Sequence, residues 1–266
     1  MINIIVCVKQ VPGSNNVKVD DKTGLLIRPK TGNKLNPYDL NALEVALSIK
    51  DQKEASVKVV TMGPPQAKEV LNECIWMGCD EGVLLSDRVF GGADVLATSY
   101  TISQGIKRFG SYDLILCGKQ TTDGDTAQVG AEVAEHLGIP HLSNVMEIIE
   151  IDESNVTVKA LQENLIITEK IQLPCLLCTD SDINTPRLPS YKRKKNMKED
   201  LIKTLTFADY EDQNIYRYGL KGSPTQVQKV FPPERNHNSQ VFNGNSNELA
   251  ENLFSILSEK KFIREA

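Results

Sequence analysis

The segment GKQTTDGDTAQVG at residues 118–130 has the composition of a loop that could bind an anion. It follows the apolar run DLILC, which has the length of a buried parallel strand, and it leads into residues 127–137, whose apolar positions recur at helical spacing. A small polar loop between a strand and a helix leaves backbone N–H groups free at the helix start, and we expect Asp125 or Thr126 to cap that helix. The spacing fits neither a Walker loop nor a Rossmann fingerprint. We therefore predict that the loop holds the phosphates of an adenine nucleotide.

The bulk composition argues against several other classes of protein. The 266 residues are 40% hydrophobic and 24% charged, as in an ordinary globular domain, and the net charge of −5 argues against general nucleic-acid binding. We expect a cytoplasmic protein, because no apolar stretch is long enough to span a membrane and the N-terminus lacks the features of a signal peptide. Cys175 and Cys178 fall on opposite sides of a predicted strand, and the histidines are scattered, so we expect no metal site.

Four strand-and-helix units position the loop. The predicted strands are residues 2–8, 57–61, 82–86 and 113–117, and the helices that follow them are residues 37–50, 65–77, 93–107 and 127–137, with Asn36 as the N-cap of the first. This alternation predicts right-handed crossovers and a doubly wound parallel sheet with helices on both faces. Ligands of such sheets bind beyond the carboxyl ends of the strands. The polar or glycine-bearing loops that converge there predict one large cleft: residues 9–12, 35–39, 62–66, 86–94 and 118–128.

The pattern changes after residue 140. The further predicted strands are residues 145–151, 155–161, 165–173 and 175–179, of which the middle two alternate as in an antiparallel ribbon. From residue 181 the chain is polar, and it ends in an amphipathic helix at residues 247–260. So long a weakly packed tail predicts an extended C-terminal arm that grips a partner. We therefore predict a nucleotide-binding α/β domain, residues 1–185, and a partner-docking loop with an arm, residues 186–266.

Four motifs resemble one protein family. The segments VCVKQVP, LNPYDLNALEVAL, GKQTTDGDTAQVG and NTPRLPS stand in the order and spacing found in the small (beta) subunits of electron-transferring flavoproteins, and the match covers nearly the whole chain. The resemblance implies an α/β fold of adenine-nucleotide-binding type that pairs with a larger alpha subunit carrying FAD. Conventional members hold AMP, and electron-bifurcating members hold a second FAD next to which NAD(H) binds. The segments VTMGPPQA and LLSDRVFGGADVLATSYTI resemble the bifurcating branch.

The resemblance also implies site residues. Those assigned to FAD are Cys7, Val8, Lys9, Asn36, Asp39, Gly118, Asp123, Gly124, Asp125, Thr126, Ala127, Gln128 and Val129. Those near NAD(H) are Gly63, Pro64, Pro65, Gln66, Arg88, Phe90, Asp94, Thr98 and Tyr100. Ala127 and Val129 replace the Asn and Thr of conventional members, so we expect only backbone contacts there. Gly124 is expected to leave space beside the phosphates and to permit left-handed backbone, and Arg88 with Gly91-Gly92 suits a pyrophosphate or a moving loop.

The implied chemistry is flavin-based electron bifurcation. NADH would give a hydride to the FAD of this subunit, and one electron would pass to ferredoxin or flavodoxin. The other would pass to the alpha-subunit FAD and on to a flavin-dependent dehydrogenase of acyl-CoA or 2-hydroxy-acid type. No side chain is expected to act as a catalytic nucleophile or base, since the flavin carries the reaction. Two alternatives remain: a conventional beta subunit with structural AMP and no NADH reaction, and an ATP-binding domain of the same fold.

The segment PRLPSYKRKKNMK at residues 186–198 resembles the loop by which this family docks onto dehydrogenases. It places an aliphatic and an aromatic side chain beside a basic run: Leu188, Tyr191, Lys192, Arg193, Lys194 and Lys195. An apolar anchor ringed by charge is a common interface design, in which the anchor supplies affinity and the charges speed encounter. The alternative is a solvated linker before the arm.

Overall fold

The computed structural model describes residues 1–13, 18–19, 26–27, 32–228 and 239–263. Contacts divide the chain into two compact units, Met1–Gln228 and Lys229–Ala266. The first unit extends beyond residue 185, at which we placed a functional division, and that division stays a prediction. No helix in the described ranges is long and apolar enough to cross a membrane.

The first unit alternates strands and helices along most of its length. Its strands are β1 Ile2–Cys7, β2 Gln10–Pro12, β3 Lys18–Val19, β4 Leu26–Ile27, β5 Asn33–Leu35, β6 Ala55–Met62, β7 Glu81–Leu85, β8 Leu114–Gly118, β9 His141–Ile151, β10 Asn155–Gln162, β11 Leu165–Gln172, β12 Cys175–Thr179 and β13 Ile202–Leu205. The α-helices of the chain are α1 Pro37–Gln52, α2 Lys68–Met77, α3 Val95–Lys107, α4 Val129–Leu137, α5 Tyr191–Asn196 and α6 Ser246–Glu259, the last in the second unit.

A nine-stranded sheet forms the centre of the first unit, in the order β11-β10-β9-β12-β8-β1-β6-β7-β13. The seven strands from β9 to β13 in this order pair in parallel, and β10 pairs antiparallel with both β9 and β11. The predicted α/β fold with a parallel sheet and an antiparallel ribbon is therefore confirmed. The strand β13 at the edge was not predicted.

The helices cover both faces of the sheet. Leu43 of α1 and Leu71 of α2 pack in one buried cluster, and Ile106 of α3 and Val133 of α4 pack in the other. Side chains of the strands alternate between these clusters because successive residues of a strand point to opposite faces. Cys175 lies in the first cluster and Cys178 in the second, so the prediction that these two cysteines face opposite sides is confirmed. In the described residues no group of three or more potential ligands is arranged to hold a metal ion.

The predicted start of α4 is wrong, whereas α1 begins at Pro37 as predicted. Helix α4 begins at Val129 rather than at residue 127, and Asp125 and Thr126 do not cap it. Asp125 and Ala127 have φ of 58° and 56°, a left-handed conformation that cannot continue into a right-handed helix. Asn36 stands at the N-cap position of α1, but its side chain makes no capping hydrogen bond. At the other end of α4, Gly138 adopts the left-handed conformation that ends many helices, with φ of 67°.

Residues 186–228 belong to the first unit, and parts of this segment pack against its sheet and helices instead of forming a loose tail. Strand β13 pairs with β7, and the side chains of Tyr210 and Tyr218 are buried in the cluster of α3 and α4. Two large aromatic side chains bury enough apolar surface to order a segment that lacks long helices or strands. In the second unit, α6 covers Ser246–Glu259, close to the predicted helix at residues 247–260, and it starts with a capping box formed by Asn245 and Glu248.

Candidate functional site

The sheet reverses its strand order between β1 and β8. From β1 the chain passes to α1 on one face, and from β8 it passes to α4 on the opposite face. Such a reversal opens a crevice beyond the carboxyl ends of the two strands, and ligands of doubly wound sheets bind there. We call this region the switch-point crevice. It is bordered by Lys9, by the start of α1 and by residues 118–128.

Asn36 ties the start of α1 to both neighbouring strand ends. Its side-chain Nδ2 donates to the backbone carbonyl of Gln120 at 2.9 Å, and its Oδ1 accepts from the backbone N–H of Thr122 at 3.3 Å. Its own backbone N–H donates to the carbonyl of Lys9 at 2.9 Å. The amide therefore serves the loop after β8 instead of capping α1, and this contact was not predicted.

Asp39 is a buried carboxyl group between the ends of β1 and β8. Its Oδ2 accepts from the backbone N–H of Lys9 at 2.8 Å, and the carboxyl also accepts from the backbone N–H of Gly118. Burial raises the pKa of Asp39 to about 7, although its hydrogen bonds with Asn36, Lys9 and Gly118 oppose that shift. Asp39 therefore satisfies two strand-end N–H groups that lack a strand partner where the crevice opens.

The close approach of α1 explains Gly118. A Cβ at this position would lie 2.5 Å from Asp39 Oδ1 and 2.5 Å from the backbone carbon of Tyr38. No side chain fits in that space, so glycine is required by contact and not by its own backbone angle. Gly118 therefore positions the crevice and offers no side chain to a ligand.

The loop after β8 presents its backbone to solvent. Residues 122–128 are all exposed, and the left-handed residues within them are Asp125 and Ala127. Left-handed backbone costs a non-glycine residue roughly 1–2 kcal/mol, and such strain is concentrated at ligand sites. Gly124 is not left-handed, so the conformational freedom that glycine permits is not used at this position. Gln120 Nε2 donates to Asp125 Oδ1 at 2.6 Å and fixes the strained turn.

A cation and a helix start face this loop. Lys9 Nζ lies 2.7 Å from Asp123 Oδ1, and the two side chains are 43% and 30% exposed. So exposed an ion pair contributes at most about 1 kcal/mol, and Lys9 can therefore exchange Asp123 for another anion. Gln128 makes no side-chain cap to α4, which leaves the first-turn N–H groups without a side-chain partner. The lysine, the strained loop and the helix start together have the features of an anion site.

The predicted NAD(H) segments follow β6 and β7 at the same edge. Pro64, Pro65 and Gln66 are exposed, and the backbone carbonyl of Gln66 accepts from Gln10 Nε2 at 3.3 Å. The backbone N–H of Gly63 donates to the carbonyl of Leu85 at 3.1 Å. This contact links the end of β6 to the end of β7 and joins the two predicted segments.

Residues 86–94 are held by the segment 205–225, which we call the strap. Asp87 Oδ2 accepts from the backbone N–H of Phe207 at 3.1 Å, and the carbonyl of Gly91 accepts from the N–H of Leu220 at 3.0 Å. A Cβ on Gly92 would lie 3.3 Å from Leu220 Cβ. The glycine pair is therefore packed against the strap, which argues against the moving loop that the sequence suggested.

Asp94 uses both carboxylate oxygens within the protein. Its Oδ1 accepts from the N–H of Ala97 at 3.0 Å and caps α3, and its Oδ2 accepts from Thr225 N and Oγ1 at 3.0 and 2.6 Å. The backbone N–H of Asp94 donates to Ser223 Oγ at 2.8 Å. Asp94 thus joins α3 to the strap, and its charge is already satisfied.

Phe90 and Tyr100 belong to an aromatic cluster beneath this loop. The Phe90 ring is 3% exposed and stacks on Tyr210 at 5.3 Å between centroids. The Tyr100 ring contacts Tyr218 edge-on at 5.4 Å, and the Arg217 guanidinium lies 5.5 Å from the Tyr100 centroid. These rings support the loop by packing. Two other residues predicted near NAD(H) are not part of this cluster. Thr98 is half-buried in the first turn of α3, and Arg88 is exposed.

The predicted docking loop is anchored at one end and open at the other. Arg187 donates to both oxygens of Glu44, with Nη2 to Oε1 at 2.8 Å and Nε to Oε2 at 2.9 Å. Leu188 and Tyr191 are 87% and 80% exposed. Lys194 Nζ lies 4.5 Å from the centroid of Trp76. The other basic residues of α5 are exposed: Lys192, Arg193 and Lys195.

The predicted residues therefore form three sets. Hydrogen bonds or ion pairs bring Lys9, Asn36, Asp39, Gly118 and Asp123 together at the switch-point crevice. The NAD(H) segments form a second region beside β6 and β7, and the docking loop is a third. Gln120, Thr122 and the strap were not among the predicted site residues. The tyrosines and glycines of YEDQNIYRYGLKG were a signal for the strap, since such residues are typical of a packed segment without regular structure.

This sheet order defines a doubly wound α/β protein, and its switch-point crevice is the candidate ligand site. Residues 23–209 match the electron transfer flavoprotein domain. The chain is 43% identical over 266 residues to caffeyl-CoA reductase-Etf complex subunit CarD of Acetobacterium woodii, with 98% of this chain and 100% of that protein covered. It is 44% identical over 262 residues to electron transfer flavoprotein subunit beta of Clostridium acetobutylicum, with coverage of 98% and 100%.

A further relative is the acryloyl-CoA reductase electron transfer subunit gamma of Anaerotignum propionicum, 37% identical over 271 residues, with 98% of this chain and 100% of that protein covered. The chain therefore belongs to the electron transfer flavoprotein family. Its function is electron transfer of the beta-subunit type.

Proposed function

We propose that this chain is the beta subunit of an electron-bifurcating electron transfer flavoprotein and that it binds FAD in the switch-point crevice. The anion site formed by Lys9, residues 122–128 and the start of α4 is the observation that carries the proposal. The chemistry supplied by bound FAD is hydride acceptance from NADH, followed by one-electron delivery to ferredoxin or flavodoxin and to the alpha-subunit FAD.

The residues at the crevice fit a dinucleotide. A pyrophosphate needs N–H donors and a cation, and the exposed loop backbone, the start of α4 and Lys9 offer both. Ala127 and Val129 have apolar side chains, so they would contact phosphates through backbone N–H groups. Asn36 and Asp39 would position the loop and the strand ends, since their polar atoms already bond protein groups.

We assign NAD(H) to the second region. Arg88 is exposed beside a loop that the strap holds in place, and its guanidinium could pair with a phosphate of NAD(H). Pro64, Pro65 and Gln66 would line the same side. Phe90, Asp94 and Tyr100 would act as positioning residues, because packing and hydrogen bonds already occupy their side chains.

The partners are an alpha subunit and a flavin-dependent dehydrogenase. The names of two relatives refer to caffeyl-CoA reductase and acryloyl-CoA reductase, which favours an acyl-CoA substrate over a 2-hydroxy acid for the dehydrogenase that this chain serves. Residues 186–266 would dock that dehydrogenase and grip the alpha subunit. A cytoplasmic location stays a prediction.

The docking assignment predicts the effect of one substitution. Tyr191→Ala should slow electron delivery to the dehydrogenase, because an exposed aromatic anchor is lost, without changing NADH-dependent flavin reduction. Stability should stay within about 0.5 kcal/mol, since the side chain is 80% exposed. Stopped-flow transfer rates measure the effect. An unchanged rate would place the docking site elsewhere.

An anaerobic NADH titration tests the proposed function. The purified heterodimer is mixed with increasing NADH, and flavin absorbance is followed with and without ferredoxin. We expect NADH to bleach the flavin and ferredoxin to become reduced when the acceptor dehydrogenase is present. A conventional subunit with structural AMP would leave the flavin oxidised. That outcome would reject the bifurcating assignment while leaving family membership intact.

A further inference from the structure

Three cysteines lie side by side near the carboxyl ends of β1, β8 and β12, at the sheet edge where the switch-point crevice opens. Cys7 of β1 is the register partner of Cys117 of β8, and Cys117 is the register partner of Cys178 of β12. All three lie on the face covered by α3 and α4, and all are free thiols. Neighbouring strands lie about 4.8 Å apart, which falls within the Cα separation that a disulfide spans.

The three thiols differ in access. Cys7 is half-buried, whereas Cys117 and Cys178 are buried. The Cys178 and Cys7 thiols, together with burial, raise the pKa of Cys117, so Cys117 stays protonated at neutral pH. The start of α4 covers Cys178 so closely that a Cβ on Gly130 would lie 2.4 Å from its Sγ. A reagent from solvent therefore meets Cys7 first.

The first two cysteines stand where the crevice opens. Cys7 is two residues before Lys9, and Cys117 directly precedes Gly118. The backbone N–H groups of Lys9 and Gly118 both donate to Asp39. A covalent bond between Cys7 and Cys117 would tie these two strand ends together and alter how Lys9 and Gly118 meet Asp39. The position of the loop after β8 depends on the same contacts.

We propose that Cys7 and Cys117 form a peroxide-sensitive thiol pair whose oxidation to a disulfide distorts the crevice and lowers nucleotide retention. Hydrogen peroxide oxidises the Cys7 thiolate to a sulfenic acid and releases hydroxide. The Cys117 sulfur then attacks the Cys7 sulfur, so the S–S bond forms, the S–O bond breaks, and the Cys117 proton leaves with the hydroxide as water. Two thiols lose two electrons in total, and one peroxide becomes two waters.

Peptide mapping tests the thiol pair directly. The full-length chain is treated with hydrogen peroxide, free thiols are alkylated, and digests are analysed by mass spectrometry. We expect a Cys7–Cys117 cross-linked peptide in the wild type and in Cys178→Ser, and its complete loss in Cys7→Ser and Cys117→Ser. In Cys117→Ser a sulfenic-acid trap should label Cys7. Absence of the cross-link from the folded wild type, or cross-linking of Cys117 to Cys178 in Cys7→Ser, would overturn the proposal.

The predicted loss of FAD retention on oxidation rests on the proposed function, and a separate measurement tests it. Protein loaded with FAD should form the disulfide more slowly than FAD-free protein, oxidised protein should retain less FAD, and dithiothreitol should restore retention. A disulfide that forms at the same rate with FAD bound, and leaves retention unchanged, would contradict the placement of FAD over Cys7. It would also overturn the link to retention, while the mapped thiol pair would stand.

Discussion

The switch-point crevice and the 86–94 loop lie at the same edge of one sheet but are built in opposite ways. Residues 122–128 are exposed in succession, contain two left-handed non-glycine residues and end at a helix start without a side-chain cap. Residues 86–94 are bonded to the strap through Asp87, Gly91 and Asp94, and they lie on a buried aromatic cluster. The first region exposes strained backbone, and the second has bonded its polar groups within the protein.

The difference assigns separate roles to the two regions. Strained backbone is concentrated at ligand sites, so we expect the crevice to be the stronger binding site. The 86–94 loop is a platform that presents few groups to a ligand, chiefly Arg88. Substitutions in the crevice should therefore affect the fold and nucleotide retention together. In the loop, Arg88 should affect NADH binding without affecting stability, whereas Asp94, which joins α3 to the strap, should affect both.

The largest effect is expected from Gly118→Ala. The added Cβ would lie 2.5 Å from Asp39 Oδ1, and neither α1 nor β8 can move freely, so unfolding free energy should fall by about 3 kcal/mol or more. Gly124→Ala is the matched control, because its Cβ would meet only Thr121 Oγ1, at 3.3 Å, and should cost less than about 1 kcal/mol. Urea unfolding measures both. Equal losses would contradict the proposed packing of α1.

The buried carboxyl group of Asp39 makes the unfolding free energy depend on pH. Because burial raises the folded pKa to about 7 from the ordinary value of 3.8, folding favours the protonated acid. The stabilisation is fully present below pH 3.8, declines as the pH rises, and is lost above about 7. The unfolding free energy of wild type minus that of Asp39→Asn should therefore fall over this window and then level. A difference that rises with pH would show that ionised Asp39 is favoured by folding.

Substitutions of Asp94 test the 86–94 loop, whose polar groups are bonded within the protein. Asp94→Ala removes the α3 cap and two bonds to Thr225, so unfolding free energy should fall by about 2 kcal/mol, and the apparent KM for NADH should rise as the loop loosens. Asp94→Asn keeps a capping oxygen and should lose about half as much. Hydrogen exchange at Ala97 and Thr225 reports the two contacts separately. Faster exchange at neither amide would exclude this joining role.

The smallest effect on the fold is expected from Arg88→Ala. The side chain is exposed, so stability should change by less than about 0.5 kcal/mol. Loss of one charged hydrogen bond to NADH should raise the apparent KM about tenfold with FAD content unchanged. Arg108→Ala, an exposed arginine that pairs with Glu211 at 3.7 Å, is the control and should leave the KM unchanged. The same concentration dependence in both variants would remove Arg88 from the NADH site.

The sequence predicted the layout of the sheet well because its strands are short apolar runs between polar loops. The observed β12 has the predicted bounds, and α1 ends two residues later than predicted. The predictions failed where contacts between residues far apart in the sequence determine the local structure. Asn36 lacks its expected capping role because its amide bonds Gln120, which is 84 positions away. No local pattern contains such a partner.

Other features were hidden for different physical reasons. Left-handed Asp125 and Ala127 are uncommon conformations for residues with a Cβ, so local preference predicts a helix start there instead. Strand β13 has only four residues in a polar stretch, and its pairing with β7 stabilises it more than its own composition does. The proximity of Cys7, Cys117 and Cys178 could not be predicted from the sequence either, because the register of three strands brings these cysteines together.

Nucleotide content is the most direct test of the central claim that the switch-point crevice binds FAD. The purified heterodimer is denatured, the released nucleotides are separated by chromatography, and their amounts are compared with protein. We predict two FAD per heterodimer, with the FAD of this subunit lost from Gly118→Ala. One FAD together with one AMP per heterodimer would contradict the account, because the crevice would then hold a nucleotide without a flavin.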